Sequence, residues 1–345
     1  MGKPRRASPV RLRFGRRAAL LALLLLAPIL PRAAQPQRAL ETEPAPLAEN
    51  LPVGAQAGRL RFLGMLVLRS GSSGGMRVSQ LSGLAWDEDE QLLYALSDKG
   101  ALVHLRPVLR DGVLRDVELV RIVPLREPAT ETSSRDRRLD PEGLAVLHAD
   151  NGRRGDTELL VSFERHPRIL RYRPDGRVLG EYRLPPELAD RDRYAGANRM
   201  LESVCYDDRF GVLTAPEKPL KGTTARIFSL AGRAWHYPMD TQDRIVDIEC
   251  LGGGEVLVLE GNFGALFWRA HTTLKRVRLV DEEGIPALRP ELLFSLRSSQ
   301  GYQIDNFEGI ARHRGNRFFL VSDDNDFFLQ RTLLLYFELL DPPVQ

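Results

Sequence analysis

An all-β fold that repeats one four-stranded unit follows from three observations. From about residue 59 the chain is a series of apolar runs of five to eight residues, separated by Gly, Asp, Asn and Pro. No segment keeps a helical apolar stripe for three turns, so the pattern is that of strands and turns. Five segments also open alike: Leu81-Ser82-Gly83-Leu84-Ala85, Pro141-Glu142-Gly143-Leu144-Ala145, Leu201-Glu202-Ser203-Val204-Cys205, Val246-Asp247-Ile248-Glu249-Cys250 and Phe307-Glu308-Gly309-Ile310-Ala311. Their second residues are spaced 60, 60, 45 and 61 apart, and self-similarity at such a period marks stacked copies of one unit.

Each opening leads through a polar turn into a second strand, expected over residues 92–97, 159–163, 211–215, 255–259 and 318–322. Four units continue into a third and a fourth strand, as in 169–173 and 178–184, joined by the turn Pro174-Asp175-Gly176. The last unit has a third strand over 332–339, and then the chain ends. Its missing fourth strand is available over 61–68, ahead of the first unit. Pairing the two closes the ring and removes an open sheet edge. The prediction is a β-propeller of five four-stranded blades spanning 58–341. A sixth blade inside 105–138 or 263–300 is the alternative, because those stretches are long for their place.

The last residue of each opening is small: Ala85, Ala145, Cys205, Cys250 and Ala311. Innermost strands crowd around the axis, so a small side chain there is a packing requirement. The two cysteines therefore read as small core residues in equivalent slots. A disulfide is the second reading, since equivalent inner-strand positions rarely come within the roughly 7 Å that it needs.

Residues 1–34 hold eight Lys and Arg and no acid. A basic stretch ends at Arg16-Arg17, a 13-residue apolar run covers 18–30, and Ala33-Ala34 offers a cleavage site. That order is a signal peptide; a membrane span needs roughly 20 apolar residues. Residues 35–57 read as a Pro/Ala-rich linker. Without the signal, 41 Lys+Arg face 46 Asp+Glu, and the formal charge falls from +3 to −5. A mildly acidic mature protein has no general electrostatic reason to seek nucleic acid. The expectation is a periplasmic or secreted monomer with no stable membrane span.

The second residues of the openings, Ser82, Glu142, Glu202, Asp247 and Glu308, place a carboxylate in four of five units. The ends of the second strands supply Asp98, Glu164, Glu217, Glu260 and Asp323, with Lys99, Arg165 and Lys218 beside three of them. Antiparallel pairing sets the start of one strand beside the end of the next, so both series should converge on one rim. Crowded carboxylates need compensation, which Ca2+ with six to eight oxygen ligands supplies. The candidate metal ligands are Glu142, Glu202, Glu260, Glu308 and Asp323; Lys99, Arg165 and Lys218 are the candidate substrate contacts. Salt bridges from those cations, or turn-forming Asp and Asn at strand ends, are the plainer explanation.

Other motifs carry less. Gly71-Ser72-Ser73-Gly74-Gly75 fits G-x-S-x-G but joins two strands, whereas a nucleophile elbow leads from strand to helix. Asp87-Glu88-Asp89-Glu90 reads as a solvated turn, and 131–138 as a mobile loop. The six histidines show no metal-ligand spacing.

The Glu-Gly-(Leu/Ile)-Ala openings, Pro141-Glu142-Gly143, and Phe307-Glu308-Gly309-Ile310-Ala311 followed by Leu320-Val321-Ser322-Asp323-Asp324-Asn325 and Gln330-Arg331-Thr332 carry a resemblance. Over about residues 60–340 the chain resembles the phytase-like, "esterase-like activity" domain of exported bacterial proteins. The resemblance implies a propeller, and loosely a chemistry in which Ca2+ at one channel mouth binds phosphate. Two functions follow as expectations. One is a metal-dependent phosphoric-ester or carboxylic-ester hydrolase acting on a small anionic substrate. The other is a non-catalytic periplasmic propeller that binds a ligand or a protein at the same rim.

Overall fold

In a computed structural model of the chain, the structure describes residue 2 and residues 39–69, 71–126, 139–240, 242–262, 270–282 and 285–341. The expected signal peptide and the 131–138 loop lie outside the described residues.

Three strands precede the first repeat: β1 (Glu41–Pro44), β2 (Gln56–Ala57) and β3 (Leu60–Arg69). A small hairpin, β4 (Ser72–Ser73) and β5 (Met76–Arg77), carries the Gly-rich segment on to the first repeat. Blade 1 is β6 (Leu81–Asp87), β7 (Leu92–Ser97), β8 (Ala101–Arg110) and β9 (Val113–Pro124). Blade 2 is β10 (Pro141–Leu147), β11 (Glu158–Phe163), β12 (Arg168–Tyr172) and β13 (Val178–Tyr182). A one-turn helix, α1 (Pro186–Ala189), precedes blade 3, which is β14 (Leu201–Asp207), β15 (Gly211–Pro216), β16 (Arg226–Ser229) and β17 (Ala234–His236). Blade 4 is β18 (Arg244–Gly252), β19 (Glu255–Asn262), β20 (His271–Glu282) and β21 (Ile285–Arg297). Blade 5 is β22 (Asn306–Arg312), β23 (Arg317–Asp323) and β24 (Thr332–Leu339), completed by β3.

The chain is therefore a five-bladed propeller of antiparallel four-stranded sheets, closed by Thr332↔Leu68 through Leu339↔Leu60. The innermost strands β6, β10, β14, β18 and β22 neighbour one another in a ring. Among the described residues no further blade appears. The long stretches that suggested one hold the extended hairpins β8–β9 and β20–β21. No helix of the described residues is long and apolar enough to cross a membrane.

The described part of the expected linker is packed rather than free. β1 adds to the outer edge of β3, Leu47 is fully buried, and its carbonyl accepts from the Gln303 amide. The sequence missed this because four edge residues and one leucine make no periodic pattern.

Every blade interrupts its inner pairing at the same place. Leu201 faces Pro216 and Ser203 faces Ala215, leaving Glu202 as the extra residue of a β-bulge. Glu308 is the extra residue between the Phe307↔Ser322 and Gly309↔Val321 pairs. The same shift occurs over Ser82–Gly83 and over Glu142–Gly143. A bulge re-aims a side chain out of the regular alternation. The glycine that follows is required by proximity: a Cβ on Gly143 would lie 2.6 Å from the Ser203 Cα, and one on Gly309 2.5 Å from the Ser82 carbonyl oxygen.

Blade 4 departs from the expected alignment by one residue. Ile245 pairs with Glu260 and Asp247 with Leu259, so the bulged residue is Val246, not Asp247. Asp247 takes the slot that is glycine in blades 1, 2 and 5. Its carboxylate accepts from the Ile248 amide at 2.8 Å and from the Ile310 amide of blade 5 at 2.9 Å. It is a buried clamp between blades and no part of a rim.

The same offset corrects the reading of the cysteines. Cys250 lies one register position beyond the slot of Cys205, and the two form a disulfide with Cα atoms 5.5 Å apart. The objection to a bridge assumed equivalent slots, and the slots are not equivalent. The Asp87–Glu90 turn is likewise no free surface. Asp87 is buried and accepts from Thr157 of blade 2 at 2.6 Å, while Glu88 binds Arg314 of blade 5.

Candidate functional site: the acidic channel mouth

Three of the bulged residues, Glu142, Glu202 and Glu308, meet the ends of four second strands at one mouth. A cavity of about 790 Å³ there is lined, among the described residues, by eight carboxylates, Asp98, Asp140, Glu142, Glu164, Glu202, Glu217, Glu308 and Asp323, against three cations, Lys99, Arg165 and Arg244. Its remaining described lining is Gln80, Leu139, Asn198 and Asn325, so among the described residues it holds no Ser, Thr, Cys or His.

Four of the expected metal ligands, Glu142, Glu202, Glu308 and Asp323, line this cavity. Glu260 does not. In the shifted register it stands opposite Ile245, turned into the blade, where the Tyr237 hydroxyl donates to it at 2.7 Å and Lys275 at 2.8 Å. Asp140, which lay outside both repeated series, joins Glu142 and Glu164 in a group whose ligand oxygens lie within 4.8 Å of one another.

The expected substrate cations are engaged. Lys99 pairs with Asp326, and Arg165 with Asp140. Lys218 donates to the Asp243 carbonyl and does not line the cavity. The third cation of the described lining is Arg244, which sequence reasoning did not single out. Its guanidinium lies 3.1 Å from Glu217 of blade 3 and 3.1 Å from Glu308 of blade 5, and donates to Asn306 at 2.6 Å. Arg244 stands opposite Gly261, in the one unit whose second strand puts a glycine where the others place an acid.

Burial and mutual repulsion make these carboxyls hard to ionise. Burial, then the charge of Glu308, pushes Asp98 up to about 8. Burial and Asp140 push Glu164 to about 8, and burial with Glu308 pushes Asp323 to about 9. Glu142 and Glu202 are driven well above the usual range by burial and by their acidic neighbours. In Glu308 burial again dominates, with Arg244 acting in the opposite direction. Asp98 Oδ1, Glu202 Oε2 and Glu217 Oε2 are buried without a hydrogen-bond partner. An unsatisfied buried oxygen is costly, and a hard cation supplies what it lacks. The donor set is all oxygen and in excess of its counter-charges, so the residues present fit a calcium ion.

A second cavity, of about 940 Å³, opens at the opposite ends of the innermost strands and includes Trp86, His148, Tyr206, Glu249, Arg312 and His313. Its charges are largely matched. Arg314 donates from Nε and Nη2 to the two carboxylate oxygens of Glu88, Arg171 pairs with Glu158, and Glu249 accepts from the Arg312 amide. Unbalanced charge is concentrated at the first mouth.

A closed ring of antiparallel blades with a carboxylate-lined mouth defines the class: a β-propeller with one strongly acidic mouth. The family follows from the sequence. The family model described as phytase-like, esterase-like activity of phytase, matches residues 76–326, and the chain belongs to that family. No curated protein matches the chain. Among solved structures the chain is similar to a gluconolactonase from Xanthomonas campestris, at 14% identity over 89% of this chain and 99% of that one, with a TM-score of 0.35. It is also similar to the Cps50 (Swd1) β-propeller domain of Myceliophteria thermophila, at 12% identity over 88% and 99%, TM-score 0.38. Hsv2 of Kluyvelomyces marxianus matches at 10% over 68% of each chain, TM-score 0.31. At these scores none of them bears on what this chain does.

Proposed function

We propose that the protein is an exported hydrolase of phosphoric or carboxylic esters, which acts with Ca2+ at the acidic mouth. The observation that carries this reading is the convergence of eight carboxylates on three cations, with buried oxygens left unsatisfied. Asp140, Glu142 and Glu164 would hold the ion, with Glu202, Glu308 and Asp323 around it. Bound there, Ca2+ supplies positive charge that draws an anionic oxygen of the substrate and polarises it. Lys99, Arg165 and Arg244 are placed to orient the remaining substrate oxygens. Among the described lining residues the groups able to transfer a proton are the carboxyls. Asp98, raised to about 8 and outside the trio that would hold the ion, is mostly protonated near neutral pH, which suits general acid work.

Export is supported by two independent features. One is the basic, apolar and small-residue order of residues 1–34. The other is the Cys205–Cys250 disulfide, a bond that persists in oxidising compartments.

The second reading, a binding propeller without catalysis, draws on Arg244. By pairing with Glu217 and Glu308 it neutralises part of the mouth from within. A panel of phosphate and carboxylate esters, assayed on mature protein with Ca2+ and with chelator, separates the two. Hydrolysis that requires Ca2+ and is lost in Glu142→Gln supports the first. Calorimetric Ca2+ binding without turnover leaves the second, and no Ca2+ binding at all sinks the metal.

A further inference from the structure

Antiparallel pairing in blade 4 gathers polar side chains on one face. The register sets Glu260 of β19 opposite Thr273 of β20, and Thr273 opposite Ser295 of β21, so the three lie in one row. His271 stands two residues before Thr273 on the same face, diagonal to Ser295. The other face holds Leu274 and Leu296, both fully buried. At one end of the row Lys275 and the Tyr237 hydroxyl donate to Glu260. At the other end His271 Nε2 lies 2.9 Å from the Ser295 hydroxyl and 2.7 Å from that of Thr273. Its Nδ1 lies 3.5 Å from the Asp243 carboxylate. Asp243 comes from the segment that leads into β18 and is buried. Its backbone is tied twice: the amide donates to the Asp240 carbonyl at 3.1 Å, and Lys218 donates to its carbonyl.

The order is hydroxyl, imidazole, carboxylate, taken through the two nitrogens of one ring. A carboxylate beside Nδ1 favours the tautomer protonated there and leaves Nε2 to accept a hydroxyl proton. Of the two hydroxyls at Nε2, Thr273 is 5% exposed and Ser295 half-buried, so the serine is the one within reach of solvent. The 3.5 Å separation is long for a hydrogen bond, as such contacts often are before a substrate tightens them. We propose that Ser295, His271 and Asp243 form a second hydrolytic centre, which cleaves carboxylic esters through an acyl-serine and without Ca2+. Ser295 Oγ adds to the ester carbonyl carbon while its proton passes to His271 Nε2. The bond from that carbon to the alcohol oxygen breaks, and the alcohol leaves with the proton. Water then adds to the acyl carbon and gives a proton to His271. The bond to Ser295 breaks, the serine recovers that proton, and the carboxylic acid departs. Asp243 touches no reacting atom; it positions the ring and stabilises the imidazolium. None of the three is among the described residues that line the acidic mouth, so this centre stands apart from the Ca2+ reading.

Labelling of mature protein with diisopropyl fluorophosphate in chelator, with the site read by peptide mass spectrometry, tests the centre. Ser295 Oγ should displace fluoride from phosphorus, leaving a stoichiometric adduct on Ser295 and a parallel loss of p-nitrophenyl acetate hydrolysis. Ser295→Ala should abolish both. His271→Gln should slow acylation by about a hundredfold or more, the usual contribution of a general base. Asp243→Asn should slow it as well, with part of the rate restored in Asp243→Glu, since the role follows the charge. Thermal melting of each variant separates catalytic loss from unfolding, and where a variant does not fold, the adduct on the unsubstituted protein decides. No adduct, or an adduct on Thr273 or elsewhere, overturns the centre, as does acetate hydrolysis that Ser295→Ala leaves intact. Carboxylic-ester hydrolysis that needs Ca2+ while Ser295 stays unlabelled supports the acidic mouth and overturns this centre. If Ser295 is labelled and Ca2+ promotes hydrolysis of neither p-nitrophenyl acetate nor p-nitrophenyl phosphate, the centre stands and the mouth reading fails.

Discussion

The second and fourth blades are made from the same four-stranded unit, yet they bring opposite charges to the acidic mouth. In blade 2 the bulge falls at Glu142–Gly143, and Asp140, Glu142 and Glu164 gather on the cavity with Arg165 as their partner. In blade 4 the bulge falls on Val246, Asp247 turns toward blade 5, and Arg244 enters the mouth in place of a carboxylate. One residue of register makes this difference, because strand side chains alternate faces and a single slip exchanges them. The exchange suits the charge balance. A fourth bulged carboxylate would add repulsion where several acids already resist ionisation, whereas Arg244 ties blade 3 to blade 5 across the opening.

The largest effect that would test this contrast is removal of that cation. Arg244→Met leaves Glu217 and Glu308 without their shared partner, and loss of one member of a buried ion pair costs about 3–5 kcal/mol. Urea unfolding at neutral pH in chelator should show it. The loss should shrink as pH falls and Glu308, whose carboxyl burial holds above the usual range, takes up a proton; an equal loss at neutral and acid pH would point to packing instead.

Next comes the bridge that the offset register permits. The disulfide closes a loop across 45 residues, and chain entropy assigns such a crosslink about 4 kcal/mol at 25 °C. Cys205→Ala/Cys250→Ala should unfold at correspondingly lower denaturant, and the unsubstituted protein should show no titratable thiol. A free thiol in the oxidised protein would break the comparison at its root.

Asp247→Ala is expected to cost about 2–3 kcal/mol, since two buried backbone donors, Ile248 and Ile310, lose their acceptor. In blade 2 the matching residue is already Gly143, so Gly143→Ala tests the same slot by crowding. It should destabilise by overpacking, and without the loss of any hydrogen bond.

The smallest effect is expected in the pH profile, because two trends oppose each other. His104 and His313 are held near 4 by burial and by nearby Arg121 and Arg314, so their contribution is lost as pH falls from about 6.5 through 4. The mouth carboxyls have folded values near 8 to 9, above their unfolded ones. The stability they carry is full below about pH 4 and is lost as pH rises through 8 to 9. Unfolding free energy in chelator should therefore decline from pH 4 to pH 9, less steeply below 6.5, where the two histidines offset part of the loss from the more numerous carboxyls. Ca2+ should flatten the decline and, at a hundred times its dissociation constant, add about 2.7 kcal/mol. A profile that rises to pH 9 would contradict the crowded acidic mouth.

Much of this was legible in the residues alone. Short apolar runs between turn formers, five like openings and a spare strand at 61–68 determine an all-β ring and its closure, because period and turn chemistry are local properties of a chain. The acidic character of one rim is likewise written into the second residues of the openings, and bulges supply the geometry that gathers them. Register is not local. Whether Val246 or Asp247 takes the bulge depends on which neighbour each side chain meets across β19 and β22, and acids one residue apart look alike in a list. Only the packed ring could place Glu260 against Lys275, move Arg244 into the mouth, bring Asp140 beside Glu142, and set Cys205 against Cys250. Those contacts join strands distant in sequence or on adjoining blades, and their partners are chosen by the closure of the ring and the one-residue offset of a single blade.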